Sequence, residues 1–304
     1  MPHRVKDEIG RAASVGLTCL LVLAVGCSRT KKNVPAITAT PTGEYRVGAF
    51  VWYDLLTDDV PGVERFYGEL FGWEFEGSFG DEGDFTLVSF QGTPIAGIVY
   101  APPLESGESR ARWVPSLSVA DVDQAVAQLR RAGGMVYTEP HEVPDRGRLA
   151  VVGDPAGAIL SLVRATGGDP ADVDGPVGSW LWTELWTHDV EASVSFYSSL
   201  LGYEYEIVDL PVIPDYGVLT KDGEPRAGVR KLPWEQVMPN WLPYVRVDDP
   251  AAVAARVEGL GGRVLIAPSD TVRAGSVALI ADPSGAAVAL QKWPLDDAER
   301  DGGR

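Results

Sequence analysis

Cysteine, histidine and basic residues are all scarce in this chain. Its 304 residues include two cysteines and three histidines, and 43 aspartates and glutamates outnumber 26 lysines and arginines, for a formal net charge of −17. Zinc fingers and disulfide frameworks need more Cys and His than this. Nucleic-acid binding relies on Lys and Arg that neutralise phosphates, so the acidic balance excludes that function.

The composition is otherwise that of a globular protein, with 45% hydrophobic and 23% charged residues. A chain of this length predicts about two domains and is long enough to bury a sizeable core.

The start of the chain has the pattern of a targeting signal. Basic residues precede the apolar stretch 15–26, which is shorter than the ~20 residues that span a bilayer. Small residues then precede Cys27, and this pattern resembles the lipobox of bacterial lipoproteins, in which the Cys is acylated after cleavage. We predict a signal peptide over 1–26, lipidation of Cys27 and a flexible tether over 27–44. The protein would be anchored to a membrane of the cell envelope; secretion without an anchor is the alternative.

The rest of the chain contains an internal repeat with an offset of 130 residues. Between 52–76 and 182–206, 11 of 25 positions are identical, which chance does not supply. The repeat predicts a first domain over 45–165, a linker over 166–176 that is rich in Gly, Pro and Asp, and a second domain over 177–294. Residues 295–304 are predicted to be a disordered tail.

A shorter repeat divides each domain into two modules. An Asp precedes a Gly by thirteen residues four times, with helical spacing of apolar residues between them. Asp suits a helix N-cap and Gly the left-handed position after the last turn. Short β-rich runs flank each predicted helix. The sequence therefore predicts an α+β fold of four βαβββ modules, whose helices lie between Asp59 and Gly72, Asp121 and Gly134, Asp189 and Gly202, and Asp249 and Gly262.

Two further motifs carry a family resemblance. Each domain has Phe-Tyr followed by Leu-x-Gly on its first helix, at Phe66 and Phe196, and a late Asp-Pro-x-Gly turn, at Asp154 and Asp282. With four βαβββ modules, these motifs resemble the vicinal oxygen chelate superfamily of glyoxalase I, bleomycin- and fosfomycin-resistance proteins and extradiol dioxygenases. The paired Trp-x-[Asp/Glu]-Leu strands are similar to a tandem-domain subgroup often labelled glyoxalase-like antigen or hydroxylase. The resemblance implies two tandem domains with cup-shaped mixed sheets.

The resemblance also implies metal-ligand positions, and this chain lacks metal-binding side chains there. Metal-dependent members use His, Glu or Gln, which suit Zn, Ni, Fe or Mn. The corresponding positions here hold Trp52, Trp182, Val114, Leu242, Ser161 and Ala289. We therefore predict no metal and no other cofactor, with a divalent metal as the alternative. Such a metal would need His141 and His188 to converge with an acid, and we expect structural or solvent roles for both histidines.

The first strand of each domain supplies the candidate binding residues. Period two places Trp52, Asp54 and Leu56 on one face and Trp182, Glu184 and Trp186 on the equivalent face of the twin, while Leu55 and Leu185 point the other way. By resemblance, the first face lines the cup. An aromatic ring beside an acid suits a cationic or aromatic ligand. Alternatively, the tryptophans fill the core and Asp54 and Glu184 bind backbone groups. Further candidates on one strand face are Tyr244 and Arg246, although Arg246 could instead neutralise an inward acid.

Three functions remain open from the sequence. The first is a lipid-anchored binding protein that takes a small molecule in its cups without metal. The second is an enzyme, either a lyase or dioxygenase with atypical ligands or a metal-free isomerase that uses Asp54 or Glu184 as a base. The third is a scaffold whose cups are filled by side chains. Because two domains lie in one chain, a monomer or a homodimer is expected, with a small molecule and the membrane as its partners.

Overall fold

The computed structural model describes residues 34–77, 84–107, 109–172, 175–210 and 213–294. The predicted signal peptide, Cys27 and the tail 295–304 lie outside these residues. Among these residues, two eight-stranded mixed sheets and four α-helices confirm the predicted α+β fold of four βαβββ modules. Within the described ranges, every helix is too short or too polar to cross a membrane.

The first sheet is built from two modules. Its strand order is β2-β3-β4-β1-β5-β8-β7-β6. The elements are β1 (Phe50–Thr57), α1 (Val60–Phe71), β2 (Glu74–Gly77), β3 (Phe85–Phe90), β4 (Thr93–Tyr100), β5 (Arg112–Ser118), α2 (Val122–Arg131), β6 (Met135–Val143), β7 (Gly147–Gly153) and β8 (Ile159–Ala165).

The second sheet repeats the first in the order β10-β11-β12-β9-β13-β16-β15-β14. Its elements are β9 (Trp180–Thr187), α3 (Val190–Leu201), β10 (Glu204–Leu210), β11 (Ile213–Lys221), β12 (Glu224–Lys231), β13 (Asn240–Val247), α4 (Pro250–Val257), β14 (Arg263–Ile266), β15 (Val277–Ala281) and β16 (Ala287–Lys292).

The helices begin where the sequence predicts and end with one difference. All four predicted aspartates are N-caps whose carboxylates accept from backbone N–H groups of the first turn. Gly72 and Gly202 take the left-handed position after α1 and α3, as predicted. After α2 and α4, that position belongs to Gly133 and Gly261 rather than to the predicted Gly134 and Gly262, each of which follows one residue later.

Three central strands of each sheet place the first-strand acid in the middle of the cup. β1 pairs in parallel with β4 and antiparallel with β5, so Asp54 has Gly97 and Val114 as its neighbours in register. In the second sheet, Glu184 likewise has Gly228 and Leu242 as its neighbours.

The structure differs from the predicted flexible tether over residues 34–44, the part of the tether that it describes. Ile37 is 3% exposed and packs in a cluster with Trp52. The backbone N–H groups of Thr42 and Gly43 donate to the carbonyl of Gly167 at 2.8 and 3.0 Å. The chain therefore lies against the first domain from residue 34 onward, because an apolar side chain and backbone hydrogen bonds hold it there. Flexibility remains a prediction only for residues 27–33, which lie outside the described residues.

Candidate functional site

The cup faces carry the side chains that the period-two pattern predicts. Trp52 and Leu56 belong to clusters on the cup side of the first sheet, whereas Leu55 belongs to the core beneath the helices. In the second sheet, Trp182 and Trp186 pack on the cup side, and Leu185 is buried on the helix side.

Asp54 forms the polar centre of the first cup. Its side chain is 13% exposed, and its Oδ1 accepts a hydrogen bond from the indole Nε1 of Trp52 at 2.9 Å. The guanidinium of Arg146 approaches from the turn between β6 and β7, with Nη1 3.8 Å from Asp54 Oδ2. Burial raises the pKa of Asp54, and the charge of Arg146 and the hydrogen bond from Trp52 only partly oppose this.

Arg146 is itself buried, at 3% exposure. Its Cζ lies 4.3 Å from the centre of the Trp52 ring and 5.4 Å from that of Phe85. Burial lowers the pKa of Arg146, although Asp54 opposes the shift. The first cup therefore contains a guanidinium between two aromatic rings, beside an acid that it does not hydrogen-bond.

Glu184 is the corresponding acid of the second cup, and it is completely buried. Its carboxylate accepts hydrogen bonds from four side chains. The donors are Arg273 Nη2 at 2.5 Å, the Tyr216 hydroxyl at 2.6 Å, Trp186 Nε1 at 3.0 Å and the Tyr244 hydroxyl. Burial acts to raise the pKa of Glu184, but the charge of Arg273 and these hydrogen bonds outweigh it and lower the pKa.

Arg273 reaches Glu184 from a constrained loop. It lies in the short 3₁₀ turn Arg273–Gly275 between β14 and β15, where Arg273 and Ala274 have φ of +47° and +49°. These are costly values for residues with a side chain, and they cluster at functional sites. The second guanidinium nitrogen, Nη1, donates to Gln291 at 3.0 Å. Arg146 and Arg273 thus come from equivalent loops of the two domains.

The structure also places the remaining candidates. Tyr244 joins the carboxylate of Glu184, and Trp182 Nε1 donates to the Tyr216 hydroxyl at 2.9 Å. The guanidinium of Arg246 lies elsewhere: it donates to the carbonyls of Gly175 at 2.9 Å and Trp293 at 2.7 Å. Arg246 sits at the end of β13, next to the linker and the last strand, so it holds these segments and Arg273 neutralises the inward acid instead.

The two histidines in the described residues contact backbone carbonyls. His141 Nδ1 lies 2.8 Å from the carbonyl of Glu139, and His188 Nε2 lies 3.0 Å from that of Val237. The acids bind side chains rather than the backbone groups that the packing alternative anticipated.

Sequence reasoning missed Arg146 and Arg273, because turns have no periodicity that orients a side chain. The available signal was a basic residue one or two positions before the Gly of each loop.

Comparison with known proteins places the chain in a family. Residues 49–162 match the model of the glyoxalase/bleomycin resistance protein/dioxygenase superfamily, and residues 182–290 match that of a glyoxalase-like domain. "Putative glyoxylase CFP32" of Mycobacterium bovis is 30% identical over 251 residues, which cover 82% of this chain and 96% of that protein. This chain belongs to the glyoxalase/bleomycin resistance protein/dioxygenase superfamily.

Other known proteins match along most of the chain. The anthracycline biosynthesis protein DnrV of Streptomyces peucetius is 33% identical over 252 residues, covering 79% of this chain and 91% of that protein. The fold is similar to that of an Mn(II)-bound glyoxalase from Novosphingobium aromaticivorans, with a TM-score of 0.54, 18% identity and coverage of 81% and 82% of the two chains. Homoprotocatechuate 2,3-dioxygenase from Brevibacterium fuscum aligns with a TM-score of 0.56 at 13% identity, over 90% and 87%.

The donor sets of the two cups do not fit the divalent metal found in some members of the superfamily. An arginine lies beside each acid and repels a cation, and the register neighbours of the acids are Gly97, Val114, Gly228 and Leu242, which have no ligand atoms in their side chains. Among the residues that the structure describes, no three His, Cys, Asp or Glu side chains converge. No chemistry routed through a metal follows from these residues.

Proposed function

We propose that this protein is an envelope-anchored binding protein whose second cup takes a small, uncharged aromatic molecule without a metal. The observation that carries this proposal is the position of one arginine in each cup: Arg146 lies beside Asp54, and Arg273 is hydrogen-bonded to Glu184. It supports a site in which polar groups position rings rather than coordinate a metal.

Glu184 is occupied by groups of the protein itself. Four donors share its two oxygens, which leaves little capacity for a metal ion or for a ligand's cation. A carboxylate whose pKa is lowered is also a poor general base near neutral pH. These contacts argue against Glu184 as the base of an isomerase, and against the cationic ligand considered from the sequence.

Aromatic side chains at the second cup provide the binding surface. Trp182 and Trp186 are half-buried, and the Trp186 ring stacks on Trp234 with centroids 6.0 Å apart. Partly buried apolar residues surround them, namely Leu181, Ile266 and Val272. Because Glu184 and Tyr216 hold the two indole N–H groups, the rings are fixed before a ligand arrives, which lowers the entropic cost of binding.

Binding can be tested with simple aromatic molecules. We would titrate the full chain in mild detergent with phenol, indole and coumarin, using benzylamine as the cation, and follow binding by saturation-transfer NMR. At least one uncharged ring should bind, and Trp186→Leu should weaken it about tenfold, since losing a stacked ring costs roughly 1.4 kcal/mol. Trp293→Leu, which alters a surface tryptophan at the end of the second sheet, is the control and should leave binding unchanged.

Three results would contradict the proposal: silence from all uncharged rings, tighter binding of benzylamine, or equal effects of the two tryptophan variants. Metal analysis of protein purified without chelators adds an independent arm. Stoichiometric iron, nickel, zinc or manganese would refute the metal-free reading of the cups.

The envelope location rests on Cys27, which follows an apolar stretch that ends in small residues. We expect the wild-type chain to fractionate with membranes and to incorporate labelled palmitate in a bacterial host, and Cys27→Ser to lose the label. If the wild-type protein is extracted without detergent and carries no label, that result would argue against the anchor.

A further inference from the structure

Arg146 in the first cup is a buried cation whose donors are incompletely used. It is 3% exposed, and Nη2 has no hydrogen-bond partner within the part of the chain that the structure describes. A buried donor without an acceptor loses its hydration and gains nothing in return, so native proteins keep few of them and each one calls for an explanation.

The second cup shows what a satisfied arginine looks like on this fold. Arg273 donates through Nη2 to Glu184 and through Nη1 to Gln291. In the first cup, the closest approach of Arg146 to Asp54 is 3.8 Å, which is too long for a hydrogen bond. The two cups therefore differ, although they belong to one repeat. Protein groups accept hydrogen bonds from both Nη atoms of Arg273, whereas Nη2 of Arg146 has no acceptor among the described residues.

Within the described ranges, the side chain of Arg146 forms one hydrogen bond, and its acceptor is a backbone carbonyl of the chain's own N-terminal segment. Arg146 Nε donates to the carbonyl of Pro35 at 3.0 Å. Two residues later, Ile37 is 3% exposed and packs with Trp52, Val143, Leu149 and Val163. The segment 34–37 thus brings a carbonyl oxygen to the guanidinium and an apolar side chain to the cup wall, which are the two contacts that a small ligand would make.

The walls around Arg146 suit a flat molecule. Trp52 and Phe85 present their rings at 4.3 and 5.4 Å from the guanidinium carbon. A planar apolar body in the place of the segment 34–37 would pack beside the guanidinium and these rings and place its oxygen on Nη2.

We propose that the first cup is a binding site for a small planar molecule with a carbonyl-type oxygen, which accepts hydrogen bonds from Arg146, and that the segment 34–37 occupies this site when the molecule is absent. The oxygen can belong to a carboxylate or to an uncharged carbonyl. This inference rests on the proposed function, because it assigns binding to the same face of the fold in the other domain. It depends on neither Trp186 nor Glu184.

The experiment releases the segment and asks whether Arg146 then binds a ligand. Benzoate and benzamide, which differ in the charge of their oxygen acceptor, would be titrated calorimetrically into the full chain in mild detergent. Ile37→Asp places a charge in an apolar cluster and should detach the segment, so at least one probe should bind about tenfold more tightly than to the wild type. Adding Arg146→Met should abolish that gain.

Controls keep the test decisive if a variant folds poorly. Ile37→Ala should give a smaller gain in the same direction, and Arg146→Lys should reduce affinity by retaining the charge but not the planar fork of donors. Circular dichroism would verify folding of each variant. The proposal is overturned if neither Ile37 variant gains affinity for either probe, if the gain survives loss of Arg146, or if benzylamine shows the same gain.

Repeating the titration in Trp186→Leu separates the two proposals. A gain that needs Arg146 but not Trp186 supports this site even where the second cup binds nothing. A gain that disappears with Trp186 would place the binding in the second cup and overturn the inference.

Discussion

Glu184 carries a negative charge in a place from which water is excluded. Its four donors and the single positive charge of Arg273 replace hydration. Such a buried pair adds little stability relative to well-packed apolar residues, but removing one partner leaves the other charge buried and uncompensated. The pair therefore specifies the geometry of the cup and makes both residues intolerant of substitution.

Glu184→Gln should lower the free energy of unfolding by about 3–5 kcal/mol near neutral pH, because Arg273 loses its counter-charge. The loss should depend on pH in a defined direction. A carboxyl with a lowered pKa stabilises the fold above its unfolded value of 4.5, and this contribution is lost as pH falls through the folded pKa. Urea unfolding of both proteins from pH 7 to pH 3 should show a gap that is widest above pH 4.5 and closes on acidification.

The exposed pair Arg130 and Glu139 supplies a matched control. Glu139→Gln should change the stability of the chain by less than about 1 kcal/mol, because surface ion pairs contribute little. An equal effect of the two substitutions, or a gap that widens in acid, would show that Glu184 is not held as a buried anion.

At the scale of single residues, the sequence predicts the acids and rings but not their partners. Strand periodicity places Asp54 and Glu184 on the cup face, since side chains alternate along a strand. Arg146 and Arg273 lie in turns, and Arg273 is 89 residues from its acid along the chain. Their contacts depend on how the second module of each domain folds back onto the first, which spacing along the sequence does not reveal.

At the scale of secondary structure, local rules succeed where the chain interacts with itself locally. Each N-cap needs only an Asp and the first helical turn, so all four were predictable. Gly134 and Gly262 do not take the left-handed position at the helix ends, but the structure shows a packing reason for them. A Cβ at these positions would lie 2.5 Å from the side chains of Leu129 and Phe66, respectively.

The fourth strand of each sheet shows the same combination of local pattern and distant cause. Gly97 and Gly228 align in the repeat, but their purpose is visible only in the sheet. A Cβ on Gly97 would lie 2.5 Å from Asp54 Oδ1, and one on Gly228 would lie 1.9 Å from the Tyr216 hydroxyl. A position next to the cup acid thus holds glycine in both domains, because the acid and an aromatic side chain occupy the space above it.

At the scale of the whole molecule, the sequence repeat predicts two domains in the right order but does not predict how their cores are shared. One core cluster combines α1 of the first module with α4 and the β13, β15 and β16 strands of the fourth. A second combines α2 with α3 and the strands around it. The first module therefore packs on the fourth and the second on the third, so each helix layer joins both domains.

Two equivalent hydrogen-bond chains cross this shared core. Trp113 Nε1 donates to the Tyr67 hydroxyl at 2.9 Å, and that hydroxyl donates to Asp282 at 3.1 Å. Their twins are Trp241, Tyr197 and Asp154, with distances of 2.8 and 3.0 Å. Each chain links the first helix of one domain to the late Asp-Pro turn of the other. The Phe-Tyr and Asp-Pro motifs that carry the family resemblance thus also hold the two domains together.

Cutting the chain between its domains tests whether this shared core holds the molecule together. A specific protease site inserted after Ala171, in the exposed part of the linker, should be cleaved without separating the halves, because both helix layers span them. The two fragments should elute together in gel filtration and separate only in denaturant, and the cut protein should still unfold in one transition.

Tyr67→Phe and Tyr197→Phe together leave a Trp donor and an Asp acceptor unpaired at each crossing. They should promote separation of the cut fragments, by lowering the stability of their association by roughly 1–3 kcal/mol for each site. Fragments that part in native buffer, or two separate unfolding transitions, would mean that each domain is complete alone and that the bonds between them are incidental.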